Sequence, residues 1–163
     1  MQTPSIARRT RRAAARGFTL VEILIVVIIL GILAAIVIPQ FTSASEDARK
    51  SSLNGQLQTI RSQIELYKLQ HLDNLPDLTT NWDQLTQQTD EDGVAYSSAT
   101  STSGPFGPYL QSEPNNMVNA LSTVSDGTGA SSADTGFVYD YNGGNGTGKF
   151  WATDKSKRAL FVE

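Results

Sequence analysis

The chain carries one long apolar run early in its sequence, at residues 18–38, where Thr19 and Glu22 are the only polar side chains. A helix rises about 1.5 Å per residue, so 21 residues extend about 31 Å, which is enough to cross the hydrocarbon core of a bilayer. The pattern therefore predicts a membrane-spanning helix. Glu22 is unexpected there, because a charged side chain at bilayer depth costs about 3 kcal/mol.

Beyond this run, apolar residues recur mostly at every third or fourth position, which indicates one face of an amphipathic helix. Residues 39–72 thus form the second half of a helix that extends from Phe18 to His71. Pro39 lacks a backbone N–H, so we expect a kink or a local loss of helical structure there. The apolar positions are Ala44, Ala48, Leu53, Leu57, Ile60, Ile64 and Tyr67.

Residues 73–163 change in character and predict a globular head. A short helix at residues 79–88 is expected, with Thr80 or Asn81 as its cap and Trp82 and Leu85 facing inward. A long polar loop follows at residues 89–108. Four strand candidates lie at residues 121–124, 136–141, 149–153 and 159–162. The pattern predicts an α+β fold, with a small antiparallel sheet packed on the second half of the long helix.

The charge of the chain is unevenly distributed. The first sixteen residues hold five arginines and no acid, whereas the remainder has eight basic and sixteen acidic residues. A basic segment before an apolar run is typical of a targeting sequence. The acidic remainder offers no basic face for phosphates, so we predict no nucleic-acid binding. The chain has no cysteine, which excludes disulfides and thiolate metal sites.

Before any family resemblance is considered, two interpretations of the N-terminal region compete: a cleaved signal and a membrane anchor. A cleaved secretory signal is disfavoured because its apolar region is normally 7–15 residues long, although Ser43–Ser45 would serve as a cleavage site. The paired arginines suggest a twin-arginine signal, against which the same length argues. A plain single-pass anchor with its arginines in the cytoplasm explains the orientation but leaves Glu22 unexplained.

The stretch GFTLVEILIVVIILGILAAIVIP resembles the N-terminal signal of type IV pilins and type II secretion pseudopilins. The resemblance implies a leader of residues 1–17, cleavage after Gly17 by a prepilin peptidase and N-methylation of Phe18. It also places Glu22 and Pro39 at positions where many family members carry these residue types. The leader is longer than in many pilins.

The resemblance implies a role for Glu22. A methylated amine keeps its charge, so the Phe18 amine of a neighbouring subunit would pair with Glu22 and favour axial registry in a filament. The alternative is that Glu22 extends toward the cytoplasmic interface. The implied protein is a pilin-like homo-oligomeric subunit that contacts membrane lipid, an assembly platform and minor pseudopilins. Its leader lies in the cytoplasm and its head outside the bacterial inner membrane, before filaments form in the periplasm or at the cell surface.

The stretch GPYLQSEP at residues 107–114 resembles a segment of major pseudopilins, but the following NNMVNA departs from the family. Two subclasses stay open: a major pseudopilin, which would drive export of folded proteins, and a type IV pilin for adhesion, motility or DNA uptake. The lack of cysteine favours the first. The presence of Glu22 favours a subunit of the filament body over its tip.

Chemistry other than assembly has little support in the sequence. Family pseudopilins hold calcium in a C-terminal loop, and oxygen ligands for it exist here, but turns use the same residue types. These candidates are Asp126, Asp134, Asp140, Asn142 and Asn145. We predict no other cofactor and no enzyme, because His71 is the single imidazole and is expected to be solvated or to cap the helix. A single-pass membrane-anchored binding domain or enzyme is the remaining alternative.

Overall fold

The computed structural model describes residues 17–161; the first sixteen residues, with all five leader arginines, and the last two lie outside the described part. The chain divides into two compact units, with the boundary between Thr42 and Ser43. Its helices are α1 (Leu20–Gln70) and α2 (Asp83–Thr86), and its strands are β1 (Val124–Asp126), β2 (Phe137–Tyr139) and β3 (Phe150–Ala152). A 3-10 turn, Asn142–Gly144, precedes β3.

The first unit contains the apolar part of α1. Helical structure begins at Leu20 and continues through Gly31 and Pro39 without a break. The loss of helical structure that Pro39 was expected to allow is therefore absent. The kink at Pro39 stays a prediction, because a helix can bend at proline while it remains continuous.

In the second unit, the second half of α1 supplies one side of the hydrophobic core. The five core residues of α1 follow the predicted spacing and are at most 2% exposed: Leu53, Leu57, Ile60, Ile64 and Tyr67. Ala44 and Ala48 were wrongly assigned to this stripe. Both are exposed, because the buried part of α1 begins only at Leu53.

The sheet has the order β1-β2-β3 and shares its core with α1. Strands β2 and β3 pair in antiparallel fashion, as predicted, but β1 and β2 are parallel, so the prediction of a wholly antiparallel sheet is wrong. The connection at residues 127–136 explains the difference. It pairs with the segment after β3, through Ser131 N–H to Arg158 O and Thr135 N–H to Lys157 O, and so returns the chain to the end where β1 began.

The outer strand candidates are shorter than the sequence predicts. Of residues 121–124, only Val124 belongs to β1. Of residues 159–162, Leu160 forms an isolated bridge with Thr153 and Phe161 N–H donates to Ala152 O, while Val162 lies outside the described residues.

The helix predicted at residues 79–88 is reduced to the four residues of α2. Its inward residues are nevertheless correct, since Trp82 is 5% and Leu85 0% exposed. The predicted cap is wrong: the N-cap of α2 is Trp82, which makes no capping hydrogen bond with its side chain, and Asn81 Oδ1 accepts a hydrogen bond from Asp83 N–H at 2.9 Å from one residue further out. The helix ends early because Gln87 is extended.

His71 is fully buried, so the expectation that it is solvated is wrong. The other expectation, that it caps the helix, agrees with its position directly after Gln70 and with its contact to a carbonyl oxygen of the last turn of α1. Its Nδ1 lies 2.8 Å from Tyr67 O and its Nε2 lies 2.9 Å from Thr89 Oγ1. The carbonyl can only accept, so Nδ1 donates the hydrogen bond to Tyr67 O. The imidazole stacks on Tyr67 at 3.7 Å between ring centroids and meets the edge of Phe106. Through these contacts, His71 connects the end of α1 to the loop after α2.

Candidate functional site

The candidate site is the segment where the chain enters α1. Gly17, Phe18 and Thr19 are exposed and not helical, and α1 begins at the next residue. Apart from its two chain neighbours, no atom of the described residues lies within 4 Å of the position that a Cβ on Gly17 would take. Within the described residues, the bond between Gly17 and Phe18 therefore lies in exposed backbone that is not part of the helix. Cleavage there stays a prediction.

Glu22 forms a capping box with Thr19 at the N-terminus of α1. Its Oε2 accepts hydrogen bonds from Thr19 N–H at 3.3 Å and from Thr19 Oγ1 at 3.4 Å, while Glu22 N–H donates to Thr19 Oγ1 at 3.2 Å. This is the reciprocal arrangement of a threonine followed three residues later by a glutamate. This role of Thr19 was not predicted, although the Thr-x-x-Glu spacing before an apolar run is the sequence signal for it.

The apolar part of α1 is bare within a single chain. Phe18 is 79% exposed, and every large aliphatic side chain from Leu20 to Ile38 is at least 42% exposed. Burying one such side chain is worth about 1.5–3 kcal/mol, so this surface requires lipid or protein around it. By length and composition α1 is suited to cross a membrane, although a signal sequence near an N-terminus meets the same criterion.

Two of the calcium candidates hold the turn after β2. Asp126 Oδ1 accepts hydrogen bonds from the backbone N–H groups of Tyr141 and Asn142, each at 3.0 Å. Asp140 Oδ2 accepts from the hydroxyl and from the backbone N–H of Thr147, and these hydrogen bonds lower the pKa of its carboxyl group. Both carboxylates thus already satisfy groups of their own turn.

The other candidates do not complete a site around these two. Asp134 Oδ1 forms an ion pair with Arg158 Nε at 3.0 Å, and Asn145 is an exposed residue of the turn. Within residues 17–161, no three His, Cys, Asp or Glu side chains are grouped to hold a metal ion. Calcium binding stays a prediction, and the melting temperature of the protein with calcium and with chelator would test it.

His71 is unsuited to catalysis in this structure. Both of its ring nitrogens are engaged and the side chain is closed off from solvent. A general base must reach the proton that it removes. Among the described residues, the apolar start of α1 therefore remains as the candidate functional site.

The comparisons with known proteins identify this segment. Residues 12–38 match the family described as the prokaryotic N-terminal methylation motif. The chain therefore carries this methylation motif at the place where the structure exposes Gly17, Phe18 and the capping box of Glu22.

More specific similarity is to secretion and pilus components. The chain is 44% identical to type II secretion system core protein G of Pseudomonas aeruginosa over 59 residues, which are 36% of this chain and 42% of that protein. It is 43% identical to core protein G of Dickeya chrysanthemi over 54 residues, 33% of this chain and 35% of the relative. It is 36% identical to a type IV narrow pilus major component of Thermus thermophilus over 56 residues, 34% of this chain and 48% of the relative.

These findings confirm the resemblance drawn from the sequence: the chain is homologous to major pseudopilins and to type IV pilins, and its α+β arrangement is pilin-like. The chain matches about a third to a half of the length of these relatives. No solved structure matches it significantly. By their names, these relatives are components of a secretion system and of a pilus.

Proposed function

We propose that this protein is the structural subunit of a pilus-like filament, a type II secretion pseudopilus that drives export of folded proteins. The observation that carries the proposal is the bare apolar surface of residues 18–38, which coincides with the methylation motif. The second unit, in contrast, has its own buried core. The head folds around its own core, whereas the apolar helix is exposed in a single chain. Such a helix can lie in the lipid bilayer first and can later be buried against the same helix of other copies.

The proposal includes a maturation path. A prepilin peptidase cuts after Gly17, and Phe18 becomes the methylated N-terminus. The arginine-rich leader faces the cytoplasm by the positive-inside rule, and the head lies outside the inner membrane. An assembly platform and minor pseudopilins then act as partners. In the filament, Glu22 exchanges its Thr19 contacts for the Phe18 amine of a neighbour.

The intact mass and N-terminal sequence of protein isolated from membranes test this path. A chain that starts at Phe18 with one added methyl group supports it. A chain that starts at Met1, or one cut after Ser45, contradicts it. Gly17→Val should remain uncut, because a β-branched side chain then occupies the site of close approach. Gly31→Val is the matched control and should be cut normally, since its position is equally open.

The second candidate function is a type IV pilus subunit, which the similarity to the Thermus thermophilus pilus component favours. Deletion of the gene in its host distinguishes the two. Loss of extracellular enzymes without loss of surface filaments indicates a pseudopilus, and the reverse result indicates a pilus.

A single-pass anchored binding domain or enzyme differs from both functions in its oligomeric state. The chain has no cysteine, so pairs of cysteines introduced within residues 18–38 report only on contacts between copies. A filament subunit gives a ladder of cross-linked species, whereas an anchored domain stays discrete.

A further inference from the structure

The turn between β2 and β3 contains two of the three Asn-Gly pairs of the chain. They are Asn142-Gly143 and Asn145-Gly146, and the third pair, Asn54-Gly55, lies within α1. The backbone nitrogen of the residue after an asparagine can attack the side-chain amide, and glycine hinders this approach least because it has no Cβ. The attack requires that this nitrogen has no hydrogen bond to give up and that the backbone around it can rotate. The three pairs differ in both respects.

The pair Asn142-Gly143 meets both requirements. Both residues are exposed, and the Gly143 N–H donates to no acceptor among the described residues. Apart from chain neighbours, no described atom lies within 4 Å of a Cβ placed on Gly143 or Gly144. Asn142 has a φ of 44°, in the left-handed region that few residues other than glycine adopt.

Only surface hydrogen bonds restrain rotation at this pair. Gly144 N–H donates to Tyr141 O at 2.9 Å, and Asn145 N–H donates to Asn142 O at 3.2 Å. Hydrogen bonds between exposed groups of a turn open locally, without unfolding of the domain. The Gly143 nitrogen can therefore reach the Asn142 side chain while the head stays folded.

The other two pairs are held by the fold. Gly146 N–H donates to Tyr141 O at 2.8 Å, and a Cβ on Gly146 would overlap the carbonyl group of Asp140. Asn54 and Gly55 lie inside α1, where each N–H bonds to the carbonyl four residues earlier. The side-chain oxygen of Asn54 is also buried. Attack by the Gly55 nitrogen would need α1 to open.

We propose that Asn142 is a site of spontaneous deamidation in the folded head. The Gly143 nitrogen loses its proton to solvent and forms a bond to Cγ of Asn142. The bond from Cγ to Nδ2 breaks, and the side-chain nitrogen takes up a proton and leaves as ammonia. Water then opens the cyclic imide at either carbonyl group, which gives aspartate or isoaspartate. No atom is oxidised or reduced, and water is the only co-reactant.

The product changes the turn in which it forms. Asp126 Oδ1 accepts hydrogen bonds from Tyr141 N–H and Asn142 N–H, so a carboxylate already lies against this backbone. Deamidation adds a second negative charge beside it, and like charges repel. Isoaspartate also lengthens the main chain between residues 142 and 143. The modification therefore adds charge to the connection of β2 with β3 and alters its length.

Peptide mapping of the full chain in detergent, incubated at mildly alkaline pH, tests the inference. Cleavage at the flanking aromatic residues releases residues 142–150, and fragmentation in the mass spectrometer separates positions 142 and 145. Asn142 should be converted fastest. Asn145 should be about five-fold slower, because the Gly146 N–H must first leave its hydrogen bond. Asn54 should remain an amide.

Two variants and an unfolded sample serve as controls. Asn142→Gln should abolish conversion at position 142, since glutamine would have to close a larger ring. Asn145→Gln is the matched variant in the same turn and should leave the rate at Asn142 unchanged. Incubation in urea removes the fold and should bring the three asparagines to similar rates.

The inference is overturned if Asn142 stays an amide in the folded chain or is converted no faster than Asn145. It is equally overturned if the same order of rates persists in urea, because the order would then come from the local sequence and not from the turn. None of these results depends on N-terminal processing or on polymerisation, so the proposed function stands or fails separately.

Discussion

Replacing Glu22 by glutamine separates its two roles in the proposed filament. Glutamine keeps an oxygen that can accept the hydrogen bonds of Thr19, so the start of α1 should remain capped. The substitution removes the negative charge that would pair with the Phe18 amine of a neighbouring subunit. We therefore expect Glu22→Gln to enter the membrane and to be cut after Gly17, but not to polymerise.

The structure sets the relative size of the two effects. The hydrogen bonds that Glu22 accepts from Thr19 are 3.3 and 3.4 Å long, at the weak end of the range, so the cap is worth about 0.5 kcal/mol. A charge left unpaired in a low-dielectric interface costs about 3–5 kcal/mol, which is a loss in association of about a hundred-fold or more. Removal of the charge also eases insertion, which otherwise costs about 3 kcal/mol.

The assay compares N-terminal processing, by mass, with the amount of sheared filament, by quantitative immunoblot, in the same cells. Thr19→Val is the matched variant, because it removes the capping hydroxyl and keeps the charge. It should lose little assembly compared with Glu22→Gln. Wild-type amounts of filament from processed Glu22→Gln would refute the charge-pairing argument, and equal losses from both variants would assign Glu22 a capping role only.

Three further predictions concern the head and use urea unfolding of the full chain in detergent, followed by fluorescence of the two tryptophans. Leu57→Ala should lower the free energy of unfolding by about 2–5 kcal/mol, because Leu57 is 1% exposed. Leu69 lies on the same helix but is 83% exposed, so Leu69→Ala should change the free energy of unfolding by less than about 0.5 kcal/mol. Equal effects of the two substitutions would contradict the assigned core. Asn116→Ala should cost about 3 kcal/mol, because Asn116 donates to two buried carbonyl oxygens at 2.7 and 2.9 Å, and the exposed Asn115→Ala should be neutral. The lowered pKa of Asp140 means that its contribution to stability is present above the ordinary carboxyl pKa of about 4 and is lost as the pH falls through the folded-state pKa, so Asp140→Asn should flatten the decline in stability below pH 4; an unchanged acid profile would show that Asp140 makes no such contribution.

The elements that depend on local periodicity could be predicted from the sequence. The buried positions of α1 from Leu53 to Tyr67 follow from three- and four-residue spacing, because one helical face must be apolar to be covered. Strands β2 and β3 could be predicted from short runs of aromatic and apolar residues that are bounded by turn residues. The parallel pairing of β1 with β2 could not be predicted, because it depends on the path of residues 127–136, and that path is set by backbone hydrogen bonds to residues 157 and 158.

The burial of His71 illustrates the same limit. A lone histidine at the end of a helix, in a polar stretch, indicates solvent exposure. Its actual surroundings come from Thr89 and Phe106, which lie 18 and 35 residues further along a loop with no periodic pattern. Thr19 is the opposite case, because its role in the capping box can be predicted from a local signal, the three-residue spacing between Thr19 and Glu22.

The capping box has a consequence for the order of events in the proposed assembly. A carboxylate without hydrogen-bond partners would be destabilising in lipid. Thr19, however, already donates two hydrogen bonds to Glu22, from its backbone N–H and from its hydroxyl group. The long distances mean that these donors hold Glu22 weakly, so a neighbouring amine with a full positive charge would displace them at little cost. The weak hydrogen bonds from Thr19 thus stabilise Glu22 in a single subunit in the membrane. The stronger interaction with the Phe18 amine of a neighbouring subunit then favours the filament. On this argument, shortening the Thr19 contacts would stabilise the stored subunit at the expense of assembly.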